Sequence, residues 1–180
     1  MTEVGAVYGQ ALYDLALSED LAKAILDEMA VLEHCFTQEE PEFLRLLSTP
    51  NLTKQERCHI LDESFRGKIQ PYLLNFLKIL TEKGYIRHFS DCRKGYTLHY
   101  NQDNGILSVT AVTAVALSGA QAEKLTGKLE SITGKTIELT NRVDPGIYGG
   151  VRLDYDGQRL DDTVAHRLEN IRNLLKNTVL

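Results

Sequence analysis

Asn101-Gln102-Asp103-Asn104-Gly105, followed by Leu107-Ser108-Val109-Thr110-Ala111-Val112-Thr113-Ala114-Val115, is where the pattern of the chain changes. Five polar or turn-forming residues with no apolar anchor end the helix that leads into them. The β-branched run after them alternates, with Leu107, Val109, Ala111, Thr113 and Val115 on one side of a strand. A period of 3.6 before this point and of 2 after it predicts an α+β chain: a six-helix bundle over residues 1–105, then a small α/β domain over 106–180.

Upstream, the helical spacing is continuous. Val4, Tyr8, Ala11, Leu12 and Leu15 recur at three and four residues in a first helix, and Leu21, Ile25, Met29, Leu32 and Phe36 in a second. Pro41 suits the first turn of a short third helix through Leu47, where its missing N–H costs nothing. Thr53 as N-cap with Glu56 as capping-box partner starts a fourth, running to about Phe65. Pro71 opens a fifth that Gly84 ends, and a sixth is expected from about Ile86 to Tyr100.

Downstream, Ser118 caps a helix over about Gly119–Thr133, with Ala122, Leu125, Leu129 and Ile132 on one side. Thr136–Val143 and Tyr148–Tyr155 read as strands, and Asp156-Gly157 is a two-residue hairpin signal before Gln158–Leu160. A last helix is expected over about Asp162–Thr178, with Asp162 as its N-cap or a first-turn acid.

Bulk properties narrow the function. A chain of 180 residues, 43% hydrophobic and 25% charged, buries a sizeable core, so disorder is not expected. Through Gly105 there are sixteen Asp/Glu against eleven Lys/Arg, and after it nine against nine, which offers no basic face to replace phosphate counterions. Nucleic acid is therefore not an expected partner. Cys35, Cys58 and Cys92 are odd in number and widely spaced, and the opening Met1-Thr2-Glu3-Val4 has no basic-then-apolar leader. No apolar run reaches the ~20 residues that span a bilayer, so contact with a membrane would go through partners. A cytoplasmic protein of bacterial type is the expectation.

The residues that could carry chemistry point away from it. His34-Cys35 and Cys58-His59 are adjacent pairs, and neighbours on a helix diverge by about a third of a turn, which is the wrong spacing for zinc. Gly146, Gly149 and Gly150 lead into Val151-Arg152-Leu153, a strand, whereas phosphate loops lead into a helix N-terminus. Gly149-Gly150 is read instead as a bulge or a close backbone approach. Asp161-Asp162 and Glu39-Glu40 have no apolar surroundings to raise a carboxyl pKa. No catalytic, metal or cofactor site is expected.

The fifth helix is more apolar than one packed face requires. Leu73, Leu77 and Leu80 form a stripe that Tyr72, Phe76 and Ile79 widen. It is either the central, surrounded helix of the bundle or a helix partly covered by something else. The first helix is rich in small residues, Gly5, Ala6, Gly9, Ala11 and Ala16, which let another helix come close.

Several stretches together resemble one family. Tyr8-Gly9-Gln10-Ala11-Leu12-Tyr13-Asp14-Leu15-Ala16 is similar to the opening helix of the δ subunit of F-type ATP synthases, whose mitochondrial counterpart is the oligomycin-sensitivity-conferring protein. Leu77–Ile86 resembles that family's fifth helix and its exit, and Val109–Ser118 its valine-threonine-alanine strand with the following cap. Asp144-Pro145, Ile147, Gly149-Gly150-Val151, Leu153 and Asp162-Thr163 reproduce its closing signature, with Tyr148 and the acidic Asp154-Tyr155-Asp156 as departures.

The resemblance implies a non-catalytic stator connector that couples proton translocation to ATP synthesis. By it, the helical domain holds the N-terminal helix of an α subunit between its first and fifth helices. Tyr8, Ala11, Leu12, Leu15, Tyr72, Asn75, Phe76 and Ile79 are the expected groove residues, and Asp144, Gly149, Gly150 and Asp162 are expected structural positions. The C-terminal domain would engage the b subunits of the peripheral stalk, on the cytoplasmic face of the plasma membrane. A soluble helical adaptor and a nucleic-acid-binding module are the alternatives.

Overall fold

The computed structural model describes residues 2–49, 51–147, 149–155 and 157–161. The predicted final helix with Asp162, the aromatic Tyr148 and the hairpin residue Asp156 lie outside the described residues. The fold is mixed α+β, and the chain divides into two compact units, Met1–Tyr100 and Asn101–Leu180.

The first unit is helical. It contains α1 (Glu3–Ser18), α2 (Ala22–His34), α3 (Pro41–Ser48), α4 (Lys54–Phe65) and α5 (Pro71–Lys83), and most of α6 (Phe89–Asp103). Local chemistry sets most of the ends. Thr53 accepts from the Glu56 N–H while the Glu56 carboxylate accepts from the Thr53 N–H, the reciprocal box expected from the sequence. Pro71 sits in the first turn of α5, and the preceding Gln70 N–H donates to the Glu28 carboxylate on α2 at 2.8 Å. Gly84 ends α5 at φ +76, where a Cβ would be strained, and Tyr85 N–H closes on Leu80 O at 2.7 Å.

Two helix boundaries differ from the periodicity. The second helix passes at Cys35 into a π-helical turn, Cys35–Glu39, closed by Glu40 N–H on Cys35 O at 2.8 Å. This turn carries Phe36, which packs on Phe43, Phe65 and Phe89 at 5.8, 6.2 and 5.4 Å between ring centroids. Ile86–His88 is a 3-10 turn, so α6 starts at Phe89 and runs on to Asp103. A hydrogen-bonding change of one residue leaves the apolar spacing almost untouched, which is why spacing alone does not reveal it.

The second unit is a four-stranded sheet with one described helix. Its strands are β1 (Ile106–Thr113), β2 (Thr136–Val143), β3 (Val151–Tyr155) and β4 (Gln158–Asp161), in the order β2-β1-β3-β4. The parallel pair β1 and β2 is joined through α7 (Gly119–Thr133), and β3 pairs antiparallel with both β1 and β4. Leu107, Val109, Ala111, Ile137 and Leu153 make its core, with Leu125 and Leu129 of α7 packed against them. Among the residues that face the other way, Asp154 gathers Arg159, Arg152 and Arg142 at 2.8, 3.6 and 4.0 Å.

The strand limits are tighter than the sequence suggests. β1 ends at Thr113, not Val115, because the Thr113 hydroxyl turns onto Val115 O at 2.7 Å and leaves Val115 exposed. β3 begins at Val151. Gly149 and Gly150 precede it in a bend at φ +135 and +86, two positive-φ positions at the strand entrance. Asp144 builds the turn before them: its carboxylate accepts from Gly146 N–H at 3.0 Å, and its carbonyl from Ile147 N–H at 3.0 Å.

Candidate functional site

The first helix has two working faces. Gly5 and Gly9 point at α6, where a Cβ on Gly5 would stand 2.6 Å from the Asp91 side chain and one on Gly9 would stand 2.5 Å from Cys92 O. Gly95 returns the contact, its own Cβ position lying 2.6 Å from Gly5 O. Tyr13 extends this face, edge-on to Tyr96 at 5.3 Å and stacked on His99 at 6.1 Å. The small residues that suggested room for a visiting helix are therefore used at Gly5 and Gly9 by the chain's own α6. Ala16 is also fully buried, and Ala11 is exposed.

The second face turns toward α5. The Tyr8 ring meets Tyr85, just past the end of α5, at 5.9 Å and 68°. At the opposite end the Glu19 carboxylate, just past α1, stands by Tyr72 and is the first cause of its raised pKa. With one contact at the start of α1 and the end of α5, and the other at the end of α1 and the start of α5, the two helices run antiparallel.

Between these contacts the eight expected groove residues separate into two groups. Leu12 and Phe76 are 3% and 6% exposed and belong to the core, with Tyr8 and Tyr72 partly buried against it. Ala11, Leu15, Asn75 and Ile79 are exposed, Leu15 by 40% and Ile79 by 46%. The breadth of the apolar surface on α5 is largely explained by surrounding elements: Leu73, Leu74, Phe76, Leu77 and Leu80 are all buried. Ile79 is the large apolar residue of α5 left in the open. Buried Leu12 and Phe76 thus have exposed Leu15 and Ile79 on the same two helices.

Periodicity overlooks Glu19 and Tyr85 because each stands just beyond a helix end, where the 3.6-residue spacing no longer assigns a face. A Gly-Tyr pair after an apolar helix is the one local sign of Tyr85.

The thiols are not poised for chemistry. Burial is the first cause that raises the pKa of each, pushing Cys92 up to about 11, so at neutral pH they stay protonated. The described residues contain no group of three or more His, Cys, Asp or Glu able to hold a metal ion. No described helix is long and apolar enough to cross a membrane.

The fold defines a class: a two-unit α+β protein, a helical unit followed by a four-stranded sheet unit. A family model described as ATP synthase delta (OSCP) subunit matches residues 4–175. ATP synthase subunit delta of Alkaliphilus oremlandii is 31% identical over 173 residues, covering 96% of each chain. That of Protochlamydia amoebophila is 34% identical over 169 residues, covering 92% of this chain and 91% of its own. Among solved structures, a chain of the Toxoplasma gondii mitochondrial ATP synthase hexamer has the same fold at TM-score 0.79 and 18% identity, with 97% of this chain and 98% of that chain covered. The chain belongs to the ATP synthase delta (OSCP) subunit family. It is a structural rather than catalytic subunit, a peripheral-stalk component linked to the catalytic head.

Proposed function

We propose that the α1/α5 groove receives the N-terminal helix of an ATP synthase α subunit, and that the sheet unit engages the ends of the b subunits. On this reading residues 1–105 form a six-helix head-binding bundle and residues 106–180 a stalk-binding domain. The chain sits at the cytoplasmic face of the plasma membrane and reaches that membrane only through its partners. Its role is mechanical: it holds the catalytic head against rotor torque, so that proton flow is converted into ATP synthesis.

The observation that carries this reading is the exposure of Leu15 and Ile79 on two antiparallel helices whose floor, Leu12 and Phe76, is already packed. An apolar side chain that its own core leaves uncovered gains about 25 cal/mol per Å2 when a partner removes it from water. A helix with apolar residues at i, i+3, i+4 and i+7 fits that surface.

The test is calorimetry of the full chain with a synthetic peptide of the host's α-subunit N-terminal segment. Ala11→Trp, which fills the mouth, and Ile79→Asp, which puts a charge in it, should each weaken binding by about 1–3 kcal/mol with the fold retained. Unchanged affinity in both variants would put the α-subunit site on another surface.

A further inference from the structure

Val7, Ala11 and Leu15 form an exposed row along α1, Val7 by 59% and Leu15 by 40%, with half-buried Val4 at its start. At about 100° per residue, Tyr8 and Leu12, which pack into the bundle, lie to one side of this row, and Glu3 and Asp14 lie to the other. Both acids are exposed, and no ion pair joins either of them to a cation among the described residues. A rise of about 1.5 Å per residue sets them about 16 Å apart along the helix. Glu19 and Asp20, also exposed, continue the acidic character past the end of α1. No Lys, Arg or His precedes Lys23, and Lys23 is itself paired with Asp27 at 2.7 Å.

The α5 side does not offset this charge. Lys78 is held by Asp62 at 2.6 Å, Glu82 and Lys83 are exposed neighbours of opposite sign, and Arg87 lies past the helix end. An acidic border beside an apolar row restricts what can cover that row. A second copy of the chain would set the same acids against each other, and a nucleic acid would bring its phosphates to them. The complementary occupant is an amphipathic helix with Lys or Arg along one border of its apolar stripe.

We infer that Glu3 and Asp14 select the helix that covers the α1/α5 surface by charge, taking one whose border against α1 is basic. This deepens the reading of that surface as the α-subunit site and rests on it. Exposed ion pairs add little affinity, so the acids act mainly on the encounter, drawing the helix in and fixing which of its borders meets α1. The apolar residues then hold it.

Stopped-flow association of the full chain with the synthetic α-subunit N-terminal peptide tests this, at low salt and at about 1 M, with a thermal melt of each variant as the control on folding. Asp14→Lys stands at an exposed position within the helix, where Lys is the better helix former, and should slow association about three- to tenfold at low salt. Glu3→Gln should slow it about twofold. Both differences should close at about 1 M salt, where the Debye length is about 3 Å. Glu123→Lys makes the same charge change on exposed α7 and should leave the rate within about 1.5-fold, which separates a local effect from net charge. A peptide with its Lys and Arg replaced by Gln should no longer distinguish Asp14→Lys from the unaltered chain. Three results overturn the charge selection and leave the groove reading standing: an unchanged rate in Asp14→Lys, equal slowing in Glu123→Lys, or a difference that survives the Gln peptide. Failure of the unaltered chain to bind the peptide would instead remove the groove reading, and the charge selection with it.

Discussion

The two long faces of α1 do opposite things with the same kind of helix. Against α6 the helix has Gly5 and Gly9, and the backbones approach until there is no room for a Cβ. Against α5 it has Tyr8, Ala11, Leu12 and Leu15, of which Leu12 is buried, Tyr8 half-buried, and Ala11 and Leu15 exposed. The comparison shows that small residues on a helix do not in themselves mark a partner site. Close approach uses up the surface, and bulkier side chains leave something for a partner to cover. In α1 the glycines serve the fold, and exposed Leu15 is what the proposed partner would cover.

The largest effect should come from breaking the closed face. Gly9→Leu places a side chain where Cys92 O and Tyr96 N already stand, 2.5 and 2.8 Å from the Cβ position, and both are backbone atoms that cannot rotate away. A loss of more than about 3 kcal/mol is expected, read as a fall in the urea midpoint or as failure to recover folded chain.

The open face predicts a split between neighbours that the sequence groups together. Leu12→Ala should cost about 2–3 kcal/mol of stability, because the side chain is core. Leu15→Ala should leave stability within about 0.5 kcal/mol while weakening the α-subunit peptide. Denaturation and calorimetry on the same two variants separate floor from wall. Equal stability losses would mean the groove is ordinary core.

A smaller effect is expected in the sheet unit, where the same residue type has a third use. Gly150 has φ +86 at the entrance of β3, a backbone that β-branched side chains rarely adopt. Gly150→Val should cost about 1–3 kcal/mol and reduce proton pumping in membranes rebuilt with the variant, with hydrolysis by the separated catalytic hexamer unchanged. Slowed hydrolysis by the soluble hexamer would contradict a purely structural role.

The smallest effect is electrostatic and depends on pH. The Lys78 ammonium, 2.6 Å from Asp62, is the first cause of the depressed Asp62 pKa, and Arg66 at 3.1 Å adds to it. A depressed carboxyl binds fewer protons folded than unfolded, so its contribution is present above the ordinary carboxylate range and is lost as the pH falls through the folded pKa. Asp62→Asn should lower stability at neutral pH, with the difference from the unaltered chain closing in acid. Urea titrations across that range check the sign, and a difference that widened in acid would rule out the ion pair as its source.

Much of this was legible before the structure. The capping box at Thr53, the Pro71 start and Gly84 stop of α5, the Ser118 cap of α7 and the limits of β2 all appear as read, since each depends on residues within four or five positions of one another. The π turn at Cys35 and the 3-10 turn at Ile86 were not legible, because neither moves the apolar spacing far enough to register.

The proposed groove was half legible. The periodicity of α1 and α5 marks their apolar residues, yet it ranks Leu12 with Leu15 and Phe76 with Ile79. The sequence by itself determined the two kinds of secondary structure, most of their ends and, through its resemblance, the family. Only the tertiary structure decided which neighbour each face of α1 meets, because those contacts join residues far apart in the chain, as in the Thr2 N–H bond to Asp91 across 89 positions. A period specifies that a face is apolar, and packing decides whether the chain itself covers that face or leaves it for a partner.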